Sequence, residues 1–197
     1  MEIVLLKQIC IMFLLIAVGM LLVKTEFLSE RGAKDLGAVL LRAVIPCVVI
    51  KSYITEYSHE RLFEQAESMF LTILALAIAM AVSYLVFGTR RRIEDVAAAF
   101  SNVGFIGIPL IQSVLGDGAI FYLTPLIAVL NILQWTYGVY IMTGDRKSIQ
   151  VKTILTNPVV LSLAAGLLLF ILQIPVPSVV TGALNHMAAM NTPLAMI

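Results

Sequence analysis

The sequence predicts an all-α polytopic membrane protein built on an inverted five-helix repeat, with a broken crossover helix and a second repeat that is incomplete. Three observations predict it. Of 197 residues, 60% are hydrophobic and 13% charged, a balance that suits a chain dissolved in lipid rather than a water-soluble domain. The apolar residues gather in spans near 3–23, 34–50, 67–87, 94–115, 119–142, 157–174 and 179–197. A hydrocarbon core of about 30 Å takes roughly 20 helical residues to cross. Finally, residues 14–50 and 161–197 are two versions of one pattern, in register without a gap.

In that pattern Ala17 lies over Ala164, Gly19 over Gly166, Leu21 and Leu22 over Leu168 and Leu169, Pro46 over Pro193 and Ile50 over Ile197. Each copy is an apolar span, a loop, then a second span interrupted by proline. Repeated pairs of spans with the second one broken point to a secondary transporter. The offset of about 147 residues predicts a complete protein of about 300 residues and ten spans, of which this chain holds one repeat and the start of the next. Residues 1–142 are then the first repeat, 143–156 a cytoplasmic loop, and 157–197 the truncated second repeat.

The first span is too long, and too little flanked by positive charge, to be a cleaved signal peptide. Short loops make neighbouring helices antiparallel. Lys24, Arg31 and Lys34, then Arg90, Arg91 and Arg92, then Arg146, Lys147 and Lys152 follow spans one, three and five. Little beyond Lys51 and Arg61 follows spans two, four and six. The positive-inside rule places the first set in the cytoplasm and the N-terminus outside, in a multi-pass protein of the cell membrane. Five spans then separate the two copies, so the second is inserted upside down. A net charge of +1 gives no reason to expect nucleic acid. Cys10 and Cys47 sit within apolar spans and read as reduced packing residues.

The fourth span, IEDVAAAFSNVGFIGIPLIQSVLG, carries Ser101, Asn102, Gly104, Gly107 and Pro109 near its middle. Pro109 has no N–H and clashes with the carbonyl four residues back, at Phe105. Two glycines weaken the same stretch. The expected product is a discontinuous helix at Pro109, its second half presenting free N–H groups and a positive end to an anion such as a carboxylate. Unwound backbone at that depth is tolerated only inside protein or beside a watery cavity. The bland alternative is a proline kink with glycine packing.

Span five holds Asn131 and Gln134, three apart and so on one face, where they can line the same cavity as Asn102. Interhelical hydrogen bonding is the competing reading. Trp135, Tyr137 and Tyr140 read as interface anchors. Arg42, well inside span two, is either a charge partner for the anion or a fixed cation that snorkels. Asn191 and Pro193 suggest a second break, and the lone His186 reads as a hydrogen-bonded residue without metal spacing. Asp35, Glu67, Glu94 and Asp95 fall at span ends, so no acidic proton relay is expected in this portion. Coupling is then absent or lies in the remaining half. No Walker motif is present, and no cofactor or metal is expected.

SNVGFIGIPLI followed by GDGAIFYLTPLIAVLNILQWTYGVYIM closely resembles the auxin efflux carrier family, which includes plant PIN-FORMED carriers and bacterial permeases. NPVVLSLAAGLLLF and the proline of span two extend the resemblance over nearly the whole chain. It implies a fold similar to that of bile-acid symporters: ten helices, two inverted repeats, and crossing broken helices four and nine. Helices one, two, six and seven would form a scaffold and the other six a moving transport unit. It also implies that Asn102 contacts substrate and Pro109 marks the crossover. The function expected is transport of a small organic anion, such as a dicarboxylate or an auxin-like acid, by alternating access. The expected partners are the lipid bilayer, the anion, and either a second copy in a homodimer or the remaining C-terminal half. One rival is a half-carrier fragment without transport activity of its own. A remoter one is an intramembrane protease, for which Gly116-Asp117-Gly118 offers only a loop aspartate without a second membrane Asp.

Overall fold

A computed structural model describes residues 2–197, without the side chains of Arg146 and Val151, so one of the loop charges lies outside the described residues. Every element is helical. The chain runs α1 (Glu2–Lys24), α2 (Glu30–Val39), a widened π turn (Leu40–Val44) and α3 (Ile45–Tyr53). It continues with α4 (His59–Phe87), α5 (Arg92–Ala99), a second π turn (Val103–Gly107), α6 (Ile108–Leu115) and α7 (Ile120–Leu133). A third π turn (Gln134–Gly138) leads to α8 (Val139–Thr143), then α9 (Val151–Leu155), α10 (Pro158–Leu172), α11 (Ser178–Ala189) and α12 (Asn191–Met196).

Among the described residues four helical stretches are long and apolar enough to cross a membrane: Glu2–Lys24, His59–Arg90, Arg92–Leu115 and Asp117–Thr143. The other three expected spans are interrupted or short. Pro158–Leu172 has 15 residues, bounded by Pro158 at its start and by Gln173, whose left-handed φ of 49° ends it. Span three begins at His59 rather than near residue 67. The Ser58 hydroxyl accepts from the Arg61 N–H at 3.1 Å, which caps a polar first turn that hydropathy alone does not register. Gly116 (φ 83°) and Gly144 (φ 72°) terminate α6 and α8 in backbone conformations that a side chain disfavours.

The proline effects fall elsewhere than expected. Pro109 does not break span four. It sits in the first turn of α6, immediately after the π turn, where the Ile108 N–H reaches back to the Val103 carbonyl. That wider turn absorbs the hydrogen bond a proline cannot make. Pro46 repeats the arrangement: it comes directly after the π turn at Leu40–Val44, with the Ile45 N–H on the Leu40 carbonyl. The actual interruption lies seven residues before Pro109. Phe100 is extended (φ −114°, ψ 116°), and Asn102 caps the π turn at Val103–Gly107. Near the C-terminus the interruption falls at Met190, just ahead of Asn191 and Pro193.

The core forms where α3, α7 and α10 meet. Tyr53, Phe121 and Phe170 cluster edge-on, with centroids 5.0 Å (Tyr53–Phe121) and 5.1 Å (Phe121–Phe170) apart. The Tyr53 hydroxyl lies 2.7 Å from Thr124 Oγ1 and accepts from Gln65 Nε2 at 2.5 Å, tying α3, α7 and α4 together. Gly166 makes this approach possible. A Cβ there would meet the Tyr53 ring, with Cγ at 3.0 Å and Cβ at 3.3 Å. Gly19 is equally close to the other end of the chain, where a Cβ would lie 2.7 Å from the Ile197 carbonyl oxygen. Cys10 is exposed and Cys47 half-buried, both as free thiols.

Gly166→Ala is expected to lower stability by about 1–3 kcal/mol, because the buried Tyr53 ring must shift and strain its hydrogen bonds. Gly182→Ala, where the structure leaves open space, should be neutral or gain up to about 1 kcal/mol from helix propensity. Thermal denaturation of the two variants in the same detergent checks the difference in sign.

Candidate functional site around a broken helix

The interruption at 100–102 opens a cavity of about 260 Å³. Phe100, Ser101, Asn102, Val103, Gly104 and Phe105 form one wall, and Asn131 and Gln134 with Ile127 and Leu130 of α7 form another. Leu41 and Ile45 from the second span and Val159 from α10 close the rest. Among the described residues, no titratable side chain lines it.

Of the residues singled out in the sequence, the structure brings Ser101, Asn102, Gly104, Asn131 and Gln134 together. Gly107 and Pro109 stay outside. Gly107 packs on its own turn, where a Cβ would lie 3.2 Å from Val103 Cγ1, and Pro109 is buried. Arg42 is exposed and contributes nothing to the wall, although its neighbour Leu41 does. It forms no ion pair among the described residues, where Lys51–Asp117 is the single one. His186 is exposed and makes no side-chain hydrogen bond among the described residues, unlike the bonded residue expected. Asn191 is buried, with both amide atoms unpartnered.

Asn102 has a local task. Its Oδ1 accepts from the Phe105 N–H at 3.1 Å, and its carbonyl accepts from the N–H groups of Ile106 and Gly107, both at 3.2 Å. It therefore caps the second half of the span, satisfying donors that the break would orphan. The side chain remains exposed to the cavity, and its Nδ2 has no partner among the described residues. Gly104 lets this turn approach α3, since a Cβ there would stand 3.0 Å from Ile45 Cδ1. Asn131 lines the cavity, and its Nδ2 donates to the Ile127 carbonyl of its own helix at 2.8 Å. Among the described residues the competing interhelical bonds for Asn131 and Gln134 do not form. The arrangement offers a small neutral ligand-sized space with amide donors, an amide acceptor and the positive end of a helical segment.

The matching region decides what kind of protein contains this cavity. A family model described as membrane transport protein, the auxin efflux carrier domain, matches residues 4–156. This chain belongs to that family. It is a membrane transporter by family, and the match contains every residue lining the cavity except Val159. A comparison with curated proteins finds no match.

A larger cavity, about 380 Å³, lies where the end of α3 and the start of α4 meet the α6–α7 turn. Lys51, Arg61, Gln112 and Asp117 line it. Lys51 Nζ and Gln112 Nε2 both donate to Asp117, at 2.8 and 3.2 Å. Arg61 donates to Thr55 Oγ1 and to the Glu56 carbonyl. Lys51 and Asp117 pair with each other and Arg61 is bound to neutral oxygens, whereas the cavity at the break has free amide groups. The sequence holds no signal for it, because the lining residues come from four separate segments.

Asn102→Asp keeps an acceptor for the Phe105 N–H and is expected to keep wild-type thermal stability. Asn102→Ala loses the cap and should fall by about 1 kcal/mol. Melting of both purified variants in detergent, without substrate, tests whether the cap is real.

Proposed function

We propose that this transporter carries a small organic anion, of the dicarboxylate or auxin-like acid class, by alternating access around the break at 100–102. The observation that carries the reading is the cavity itself, where Asn102, Ser101, Asn131 and Gln134 converge on the start of the second half-helix with no carboxylate to repel an anion. Asn102 Nδ2 meets a carboxylate oxygen while its Oδ1 holds the helix end. Neutral amides bind an anion without the cost of a permanent buried charge. Gly104 keeps the backbone close, and Gln134 at the exposed edge selects for size. Arg42 lies outside the cavity and is left out of the binding set.

The inverted repeat belongs to the same proposal. The reciprocal placement of the two repeated glycines supports it: Gly19 of the first span abuts Ile197 of the last, and Gly166 of the sixth abuts Tyr53 at the end of the second. So does the packing of α12 against the turn at 103–107. The N-terminus lies outside on this reading, with the arginines at 90–92 inside.

Uptake of a panel of radiolabelled carboxylates into proteoliposomes tests the function, and the absence of flux above empty vesicles for every member would sink it. Asn102→Asp should abolish binding of the active substrate, and Asn102→Ala should weaken it by about 5- to 150-fold, the loss of one buried hydrogen bond of about 1–3 kcal/mol. Unchanged affinity in a well-folded Asn102→Asp protein would make Asn102 a cap and nothing more. For the orientation, a cysteine at Ser148 should resist a membrane-impermeant maleimide in intact cells and react after permeabilisation. Labelling from outside rejects it.

A further inference from the structure

The cavity beyond the end of α3 holds an arginine that no anion answers. Arg61 Nη1 donates to Thr55 Oγ1 and, at 3.2 Å, to the Glu56 carbonyl, both neutral oxygens. Its Nε and Nη2 make no hydrogen bond among the described residues. Across the same space Lys51 Nζ pairs with Asp117 Oδ2 at 2.8 Å, the single ion pair among the described residues. The lining therefore sets two cations against one carboxylate, a surplus of one positive charge.

The unused hydrogens agree with that sign. A guanidinium, an ammonium and a primary amide donate from every N–H they carry. Lys51 and Gln112 each bond Asp117, the latter at 3.2 Å from Nε2, and both keep further hydrogens for a ligand. Arg61 keeps the Nε–Nη2 edge of its fork, whose two parallel N–H groups match the two oxygens of a carboxylate. Acceptors are scarcer. Asp117 is already bonded twice, and the Ser52 hydroxyl, which donates to the Val49 carbonyl at 2.7 Å, offers only its oxygen. A donor-rich cavity with surplus positive charge is built for an anion.

The rest of the lining selects the body of that anion. Val48, Ile54, Ile120 and Phe121 supply an apolar floor. The Phe121 ring is fixed edge-on between Tyr53 and Tyr122, at centroid distances of 5.0 and 5.1 Å. The volume of about 380 Å³ falls within the range of roughly 300–1,000 Å³ common to small-molecule sites. Carboxylates stand nearby without lining the space. Glu64 Oε2 accepts from the Tyr122 phenol at 2.5 Å, Glu60 acts electrostatically on the same phenol, and Glu56 is exposed. They oppose a dianion, whether phosphate or dicarboxylate. A monoanion matches the single surplus charge.

We propose that this cavity is a second anion site, separate from the break, and that it takes a monocarboxylate with an apolar body. The Nε–Nη2 edge of Arg61 holds the two carboxylate oxygens, Lys51 and Gln112 add their remaining N–H groups, and the body lies on the floor around Phe121. α3 and α7 wall both cavities, with Val48 and Ile120 here and Ile45 and Ile127 at the break. Ile45 and Val48 are about 4.5 Å apart along the helix axis, so an acid held at Arg61 waits beside the transport cavity. That the acid captured is also the acid carried rests on the transport reading above, and it favours the auxin-like class over dicarboxylates; the site itself does not depend on that reading.

The test is calorimetric titration of phenylacetate into the purified chain in neutral detergent, with acetate and succinate for comparison. Every protein carries Asn102→Asp, so that the break cavity offers no second site. Phenylacetate should bind about tenfold or more tightly than acetate or succinate, because only it fills the apolar floor. Arg61→Gln should weaken it about tenfold or more. Asp117→Asn releases Lys51 and removes the competing carboxylate, so it should tighten binding about threefold, a gain that structural damage does not produce. Unchanged affinity in Arg61→Gln overturns the site, and acetate or succinate binding as tightly overturns the ligand class. Should Arg61→Gln not fold, Asp117→Asn carries the test, and unchanged or weaker binding there overturns the site. Loss of binding on transfer to nanodiscs containing phosphatidylglycerol assigns the cavity to a lipid headgroup and overturns the free acid as its ligand. Arg61-dependent binding without flux in proteoliposomes of the protein with Asn102 intact removes the transport reading and leaves this site standing.

Discussion

The missing N–H of proline is the constraint on which most of this architecture depends. Inside a bilayer an unmade backbone hydrogen bond has no bulk water to fall back on, and around two of the prolines the chain reorganises. Here Pro46 and Pro109 are each preceded by a π turn, at Leu40–Val44 and Val103–Gly107. One extra residue per turn moves the backbone oxygens off the proline ring and supplies i→i+5 bonds in place of the lost one. In the fourth span the adjustment extends further, and the backbone opens at 100–102. The cavity is the space that this opening leaves between α7, the second span and α10.

Opening a helix inside a bilayer creates orphan donors, and the side chain at the opening decides whether they are tolerable. Asn102 can cap with its oxygen and still present its nitrogen, which neither Ser nor Asp does in the same way. The same residue is thus structural and, on the proposed reading, functional. The tight packing of α3 on α10, with Tyr53 against Gly166 and hydrogen-bonded to Gln65 and Thr124, holds the walls around it. A cavity built on a weakened helix needs rigid neighbours, because the weakened segment cannot define its own position.

Much of this is legible in the residues. The apolar runs, the glycine and proline placement and the SNVGFIGIPLI stretch carry the fold class and the family, because hydropathy and helix breakers act locally. The spacing of Asn131 and Gln134 is enough to place them on one face, and they do reach the cavity that Asn102 lines. The misleading signals are local too. A proline marks a helix as disturbed without saying where the disturbance is relieved, so the sequence points to a break at Pro109 when it lies at 100–102. Arg42 looks like a site residue because an arginine in an apolar run is expensive, but rotation about the helix axis turns it to the outside.

The sequence by itself determined that the chain is helical, membrane-bound and a transporter by family, since composition, apolar run length and a motif of fixed order need no neighbours to be read. Only the tertiary structure decided which polar residues share a space. The cavity at the break, the cluster of Lys51, Arg61 and Asp117, and the contact of Ser83 with Asp95 all join segments distant in the chain. Asp95 shows the difference most directly. Its position, one turn into a helix beside three arginines, reads as a solvated span end, and burial comes from α4 and the turn at 134–138 closing over it. Burial is a property of what packs against a residue, and that is the one thing a linear pattern does not contain.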